Sequence, residues 1–334
     1  MKNVQISHEA SRPARYVKWF GVFSSIGMFI INFIGFLDTQ TGSAEGCGPD
    51  WPLCNGQVLP SLNNMHVIIE FMHRFLVGFF AIVAVVFVVW ALVKFRRYRE
   101  VQVFSWLAVG FIIVQSLLGA LAVVFVNPPE VLALHLGFGL LAMGGVALLT
   151  VFLFQYDHHA NQEKAGLFYR SKPLPKSLSN LIRWTWVYMF GAIYLGSDVD
   201  FHNAGPACAG WPLCNGEVFP GFSGNVGLAF SHRLAAVAFA ALSIWLLIAL
   251  RRVKNQRPDL FMGSQALFIM IILQIISGAW VVFSHISLNS ALLHVSLLMV
   301  LFTVLSYLTL QTFPFHDVSL QTSSQKDTSQ EAQH

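Results

Sequence analysis

Residues 67–93 read VIIEFMHRFLVGFFAIVAVVFVVWALV, an apolar run that is interrupted only by one acid, one histidine and one arginine. A helix of about 20 apolar residues is long enough to cross a bilayer. The whole chain shares this composition: of its 334 residues, 55% are hydrophobic and 11% are charged, whereas soluble proteins have about 25% charged residues. This composition excludes a soluble globular enzyme, a disordered protein and a nucleic-acid-binding protein. It predicts an all-α integral membrane protein.

Seven further apolar stretches have a similar character, so the sequence predicts eight transmembrane helices. The stretch at 181–197 is the shortest of them. The eight predicted spans lie near 16–37, 67–93, 103–126, 131–155, 181–197, 226–250, 260–284 and 290–311.

The positive charges predict the orientation of these spans. Of the 20 Lys and Arg residues, 18 lie at the two termini, in the loops on one side of the membrane, or at the span ends that adjoin them. The remaining two, Arg74 and Arg233, lie within predicted spans. The opposite loops contain neither Lys nor Arg, and they comprise residues 38–66, 127–130, 198–225 and 285–289. By the positive-inside rule, both termini are expected in the cytoplasm.

The sequence contains an internal repeat. CGPDWPLCNG at 47–56 recurs as CAGWPLCNG at 208–216. His73-Arg74 recurs as His232-Arg233, and His135 recurs as His294, in each case 159 residues later. We therefore predict two pseudo-symmetric four-helix bundles in the same orientation, related by an axis along the membrane normal. The predicted divisions are a cytoplasmic N-terminus (1–15), an N-terminal half (16–155), a cytoplasmic linker (156–180), a C-terminal half (181–311) and a disordered cytoplasmic tail (312–334).

The repeated histidines are candidate haem ligands. His73 and His135 each lie four to six residues inside a predicted span, about 6–10 Å below the outer surface, and His232 and His294 repeat this placement. Paired axial imidazoles across a helix bundle can hold a haem. The alternatives are hydrogen bonding between helices and a zinc or copper ion, although no third donor accompanies either pair.

Two arginines and one carboxylate add to this interpretation. Arg74 and Arg233 are candidate partners of the haem propionates, since a guanidinium pairs with a carboxylate. Glu70 lies one turn before His73, and the second copy has Ala229 in its place. A carboxylate beside a haem in a low dielectric could move a proton, so chemistry is expected in the N-terminal half. Glu70 could instead be an acid favoured by the helix dipole.

All four cysteines lie in predicted outer loops, where disulfides persist. Four cysteines allow three pairings, and the short separations favour Cys47–Cys54 and Cys208–Cys214. Such bonds could hold each loop as a lid over a pocket, or they could be redox-active. A zinc site made from all four thiolates is a third interpretation.

The chain resembles the haem A synthase family, which assembles cytochrome oxidase in bacterial and mitochondrial membranes. The similarity extends over about 20–312. The residues that carry it are ThrGlySer at 41–43, CGPDWPLCNG at 47–56, GluPheMetHisArg at 70–74, GlnSerLeuLeuGlyAla at 115–120, His135, CAGWPLC at 208–214, SerHisArg at 231–233 and His294.

The resemblance implies oxidation of the C8 methyl of haem O to a formyl group on the outer side of the plasma membrane. It implies haem B as cofactor, haem O synthase as a partner and an electron donor that the sequence does not identify. The implied residues are Glu70 in catalysis, His73 and His135 in the haem O pocket, His232 and His294 on haem B, and Cys47 and Cys54 in activity in the Gram-positive-like branch. Asp38 and Gln40 depart from the neutral residue and the lysine expected at those positions.

Three other functions compete with this interpretation. A dihaem cytochrome b would relay electrons through two haems that are never modified. A haem carrier or assembly factor would bind haem exchangeably and would need no Glu70. Thiol–disulfide exchange with a quinone would use the cysteines and leave the four histidines without a role.

Overall fold

A computed structural model describes residues 11–160 and 174–313 of the chain, with side chains described for 15–156 and 174–313. Within these residues the long elements are all α-helices, and the extended pairing is limited to two isolated bridges, Cys54–Gln57 and Cys214–Glu217. The disordered tail predicted for 312–334 falls, from residue 314 onward, outside the described residues.

Eight long helices account for the eight predicted spans. Seven of them are long and apolar enough to cross a membrane. The fifth is not among the seven; it has Lys176 and Arg183 near its start, and Asp198 and Asp200 near its end. The chain is therefore an all-helical, polytopic membrane protein. The helices are α1 (Ser11–Gln40), α2 (Met65–Phe95), α3 (Arg99–Val124), α4 (Pro129–Ala160), α5 (Lys176–Phe201), α6 (Gly224–Arg251), α7 (Pro258–Phe283) and α8 (Leu288–Leu310).

The helices begin at residues suited to that place. Asn64 caps α2, where its side chain accepts a hydrogen bond from the His66 N–H at 2.9 Å, which satisfies one free donor of the first turn. Pro129 and Pro258 open α4 and α7, a position where the missing proline N–H costs nothing. Every helix begins two to five residues before its predicted span, because helical hydrogen bonding continues outside the apolar run, whereas α3, α7 and α8 end one or two residues before the predicted ends.

Helices α1 to α4 pack on one another, and helices α5 to α8 do the same. The two groups meet where α4 packs on α5 and α8, and where α1 packs on α8. The fully buried side chains of this contiguous core include Phe87, Phe152, Phe302, Met28 and Leu140. Large apolar side chains on α2, α3, α6 and α7 are exposed, as expected for surfaces that contact lipid.

The α1–α2 and α5–α6 connections contain the cysteines and fold alike at one point. Asn55-Gly56 and Asn215-Gly216 all have positive φ, between 50° and 82°, which is the conformation of a two-residue type I′ turn. Each turn is closed by a pair of backbone hydrogen bonds, between Cys54 and Gln57 or between Cys214 and Glu217. Each loop thereby reverses its direction at this turn.

Candidate functional site

Each of the four repeated histidines lies against a glycine of the preceding helix. A Cβ atom built on any of these glycines would lie 2.6–3.2 Å from the nearest imidazole atom, so a larger residue would displace the ring. The glycine–histidine pairs are Gly35 and His73, Gly119 and His135, Gly196 and His232, and Gly278 and His294. Each glycine therefore makes room for the imidazole ring of a candidate axial ligand, and this repeated arrangement is compatible with a haem site in each half.

Each half brings its own two histidines together. His73 lies close enough to His135 for their rings to interact electrostatically, and His232 lies similarly close to His294. In the described parts of the chain, no three His, Cys, Asp or Glu side chains form a possible metal-binding group. Two donors suit the two axial positions of a haem iron, whereas zinc takes three or four protein ligands.

In three of the four histidines, the Nδ1 atom of the imidazole has a polar neighbour, and this neighbour differs from one histidine to the next. Nδ1 lies 3.1 Å from the Gln115 carbonyl oxygen in His135 and 2.8 Å from the Ser277 hydroxyl in His294. In His73 it lies 3.5 Å from Oδ2 of Asp38. Partners of this kind fix the tautomer and orientation of a metal-binding histidine.

Glu70 connects α2 to the first cysteine loop. Its carboxylate is buried, with 2% of the residue exposed, and one oxygen accepts a hydrogen bond from the Cys47 N–H at 2.6 Å. The other oxygen pairs with Arg74, one turn later on the same helix. Because Ala229 occupies the corresponding position, the second loop has no such connection.

Both predicted propionate partners donate to loop carbonyls in the structure. Arg74 donates to Leu53 at 2.6 Å and to Gly48 at 3.2 Å. Arg233 holds the second loop in the same manner, through Gly210 at 2.8 Å, Leu213 at 3.0 Å and Cys208 at 2.5 Å. Each arginine therefore ties a cysteine loop to a histidine-bearing helix, and the propionate contact stays a prediction.

The cysteines are paired within their loops. The S–S distances are 2.00 Å for Cys47–Cys54 and 2.01 Å for Cys208–Cys214. A zinc site made from four thiolates would require these bonds to be reduced, so the structure does not have the arrangement that the third interpretation needs.

Two polar contacts beside the site were not predicted from the sequence. His66 lies 3.0 Å from the Ser43 hydroxyl, which contacts Thr41 in turn at 2.7 Å. Gln40, at the end of α1, donates to Asp200, at the end of α5, at 2.8 Å. Burial raises the pKa of the Asp200 carboxyl to about 6. The unusual Gln40 was the only signal for the second contact.

Two outer-loop histidines lie apart from the pairs. His202 is exposed and contacts Asp198 at 2.9 Å, while His285 occupies a turn position with φ of 51°. Neither is assigned a function.

The fold and the site together define a polytopic helical membrane protein with a buried histidine pair and a disulfide-closed outer loop in each half. The COX15-CtaA family of cytochrome oxidase assembly proteins matches residues 18–306, and the chain belongs to this family.

Several relatives cover almost the same length. The chain is 35% identical over 296 residues to the heme A synthase of Alkalihalophilus pseudofirmus, covering 88% of this chain and 96% of that protein. It is 36% identical over 294 residues to the heme A synthase of Halalkalibacterium halodurans, with the same two coverages. A heme A synthase of Bacillus cereus is 34% identical over 294 residues, covering 88% and 92%.

Proposed function

We infer that this chain is a haem A synthase, an oxidoreductase that converts haem O to haem A by oxidising the C8 methyl group to a formyl group. The observation that carries this inference is continuous similarity to relatives named heme A synthase over 88% of the chain. The matched family region, 18–306, includes both histidine pairs and both cysteine loops.

The proposed architecture is eight transmembrane helices in two pseudo-symmetric halves, 16–155 and 181–311, with both termini in the cytoplasm. The helix contacts support it. If α1 to α4 are exchanged with α5 to α8, each principal contact maps onto another: α1 on α4 becomes α5 on α8, and α1 on α8 becomes α5 on α4. An axis along the membrane normal would produce such a pattern.

The two halves are proposed to hold different haems. His73 and His135 would bind the substrate haem O, and His232 and His294 would bind haem B as a permanent cofactor. Haem B supplies electron relay when it is bound. The difference at Glu70 and Ala229 supports this division, because Ala229 leaves the second copy without the buried carboxylate that the first copy has at this position.

Glu70 is proposed to move protons at the site as the methyl group is oxidised. In each oxidation, dioxygen, two electrons from the donor and two protons give one C–OH group and one water. The first oxidation gives an alcohol, and the second gives a geminal diol that loses water to form the aldehyde. The Cys47 N–H and Arg74 hold the carboxylate in place, and the disulfide-closed loop would limit the access of water. The reaction would take place towards the outer side of the plasma membrane, with haem O supplied by haem O synthase and electrons exchanged with a further membrane partner.

The test is to express the chain with a source of haem O, extract the haems and analyse them by chromatography with mass detection. Haem A above the level of the empty vector is the expected result. Haem B alone, with haem O unchanged in membranes that contain folded protein and an electron donor, would contradict the inference and favour a cytochrome or a haem carrier.

A further inference from the structure

The contact between Asp38 and His73 has no counterpart in the other half. Asp38 is buried in α1, and its Oδ2 lies 3.5 Å from Nδ1 of His73. Among the described residues, Oδ1 of Asp38 has no hydrogen-bond partner. Its one ion-pair contact in these parts of the chain is therefore with the histidine.

Asp38 and Gly35 act on His73 from the same face of α1, since residues three apart are neighbours on a helix. A Cβ atom on Gly35 would lie 2.9 Å from Nε2 of His73, so Gly35 leaves space around one ring nitrogen while Asp38 faces the other. In the C-terminal half, 161 residues later, Gly196 repeats Gly35, but Val199 replaces Asp38. His232 therefore has the space without the carboxylate.

A metal-binding histidine commonly donates its other N–H to a carboxylate, which fixes the ring and makes it a more basic ligand. A more electron-rich axial ligand favours ferric over ferrous haem and lowers the reduction potential. We propose that Asp38 is a positioning residue that accepts the Nδ1–H of His73 and lowers the potential of the haem in the N-terminal pocket relative to the other. This rests on the proposed function, because it requires His73 to bind the substrate haem.

The test is spectroelectrochemical titration of the purified full-length protein loaded with both haems. Asp38→Val, which installs the residue of the other half, should raise the potential of the N-terminal haem. We expect at least a tenfold shift in its reduction equilibrium, about 59 mV for a one-electron couple. Asp38→Asn should give a smaller shift in the same direction, because the amide oxygen still accepts a hydrogen bond without carrying a charge. It also serves as the second variant if Asp38→Val does not fold.

The control is Asp50→Asn, which removes a negative charge from an exposed position in the first cysteine loop, between α1 and α2, and should change neither potential. Unchanged potentials in both Asp38 variants, or equal shifts of both haems, would overturn the proposal. The ligand assignment itself is tested separately with His73→Ala. If the N-terminal haem keeps its spectrum in that variant, His73 is not its ligand, and this part of the proposed function is wrong whatever the Asp38 variants show.

A second inference rests on a different feature, a groove of about 920 Å³ between α5 and α6. Leu181, Trp184, Trp245 and Ala249 form apolar walls, and Arg252 lies at one end. Its backbone N–H bonds to the Ala249 carbonyl, but the structure gives the Arg252 side chain no hydrogen bond or ion pair within the residues that it describes. Both tryptophans are exposed, so the groove opens towards the lipid.

The first half fills the corresponding space with aromatic rings. Trp90, which corresponds to Ala249 at the repeat offset of 159, packs on Phe20 with ring centroids 5.9 Å apart. Phe20 in turn corresponds to Leu181. The smaller Ala249 and Leu181 therefore leave the groove open in the C-terminal half alone.

We propose that this groove binds one anionic phospholipid of the cytoplasmic leaflet, with an acyl chain against the tryptophans and the phosphate on Arg252. Charge complementarity supports this occupant, because basic pockets between helices on the cytoplasmic side bind anionic headgroups. Native mass spectrometry of protein extracted with its lipids should show one retained anionic lipid. Ala249→Trp and Arg252→Gln should each abolish this retention, whereas Arg251→Gln should preserve it.

Equal retention by wild type and Ala249→Trp would overturn the lipid proposal. Equal retention of a zwitterionic lipid would overturn it as well.

Discussion

Glu70 differs from an ordinary membrane carboxylate in what holds it. A buried carboxylate needs hydrogen bonds or an opposite charge, and Glu70 has both, from the Cys47 N–H and from Arg74. These partners come from a loop and from its own helix. The result is a carboxylate that is fixed beside the candidate haem O pocket.

Replacing Glu70 with Gln should stop the conversion of haem O while leaving haem B bound. Glutamine still offers an oxygen to the Cys47 N–H, but it cannot take up a proton. A positioned acid or base contributes about 100-fold or more to a rate, so the ratio of extracted haem A to haem O should fall by at least that factor.

Glu45→Gln is the matched control, because Glu45 is an exposed acid of the adjoining loop. It should behave as the wild type does. Wild-type levels of haem A from Glu70→Gln would remove Glu70 from the mechanism.

At the scale of single residues, the sequence could identify Glu70 but not its contacts. Comparing the two copies singled out Glu70, because Ala229 replaces it. The Cys47 N–H lies 23 positions earlier, and only the folded loop brings it close. Likewise, a cation within a span requires acceptors, but the sequence could not distinguish loop carbonyls from haem propionates as the partners of Arg74.

At the scale of elements, the two cysteine loops have the same turn but different connections to the site. The first loop is tied to Glu70 through Cys47 and to Arg74. The second loop is tied to Arg233, but Ala229, which stands at the position of Glu70, has no side chain that could hold it. A change in the first loop should therefore reach Glu70, the proposed catalytic carboxylate, whereas a change in the second should not.

Removing each disulfide by a double Cys→Ser substitution should separate stability from catalysis. Closing a loop of this size stabilises a protein by about 2.5 kcal/mol in the chain-entropy estimate, so both variants should unfold at lower temperature. Only the Cys47/Cys54 variant should also lose haem A formation, because its loop positions Glu70. Equal loss of activity in both double variants would contradict this role of the first loop.

The contact between the ends of α1 and α5 should make stability depend on pH. Asp200 lies beyond the predicted span 181–197, and burial raises the pKa of its carboxyl from 3.8 to about 6. The stabilising effect of the neutral carboxyl is fully present below about pH 4 and is lost as the pH rises to about 6.

Asp200→Asn keeps an acceptor for Gln40 and removes the ionisation. The melting temperature of this variant should equal that of the wild type at pH 4 and exceed it by a few degrees at pH 7, as measured by thermal unfolding in detergent. A constant difference across that range would show that Asp200 does not titrate there.

At the scale of the whole molecule, the positions of the helices could be predicted from hydropathy. Inside a membrane no water is available to the backbone N–H and C=O groups, so an apolar segment must satisfy them within a helix. Seven of the eight helices meet the length and apolarity of a membrane span. The least apolar of the eight, α5, matches the shortest predicted span, 181–197. The packing of α4 on both α5 and α8 could not be predicted, since small residues and ring contacts between distant helices decide it.

The orientation predicts the outcome of reporter fusions. Alkaline phosphatase fused after Pro128 should be active, because that loop should lie outside. The same fusion after Arg97 or Lys254 should be inactive, and a fluorescent protein at the C-terminus should fluoresce. With equal expression confirmed by immunoblot, phosphatase activity after Arg97 would contradict the proposed topology.

The central claim is that the two histidine pairs hold different haems, and the most direct measurement is the haem content of two purified variants made with a source of haem O. His232→Ala should lose haem B and keep haem O. His73→Ala should keep haem B and lose haem O, with no haem A formed. The reverse pattern, or equal loss of both haems from each variant while the protein stays folded, would contradict the account.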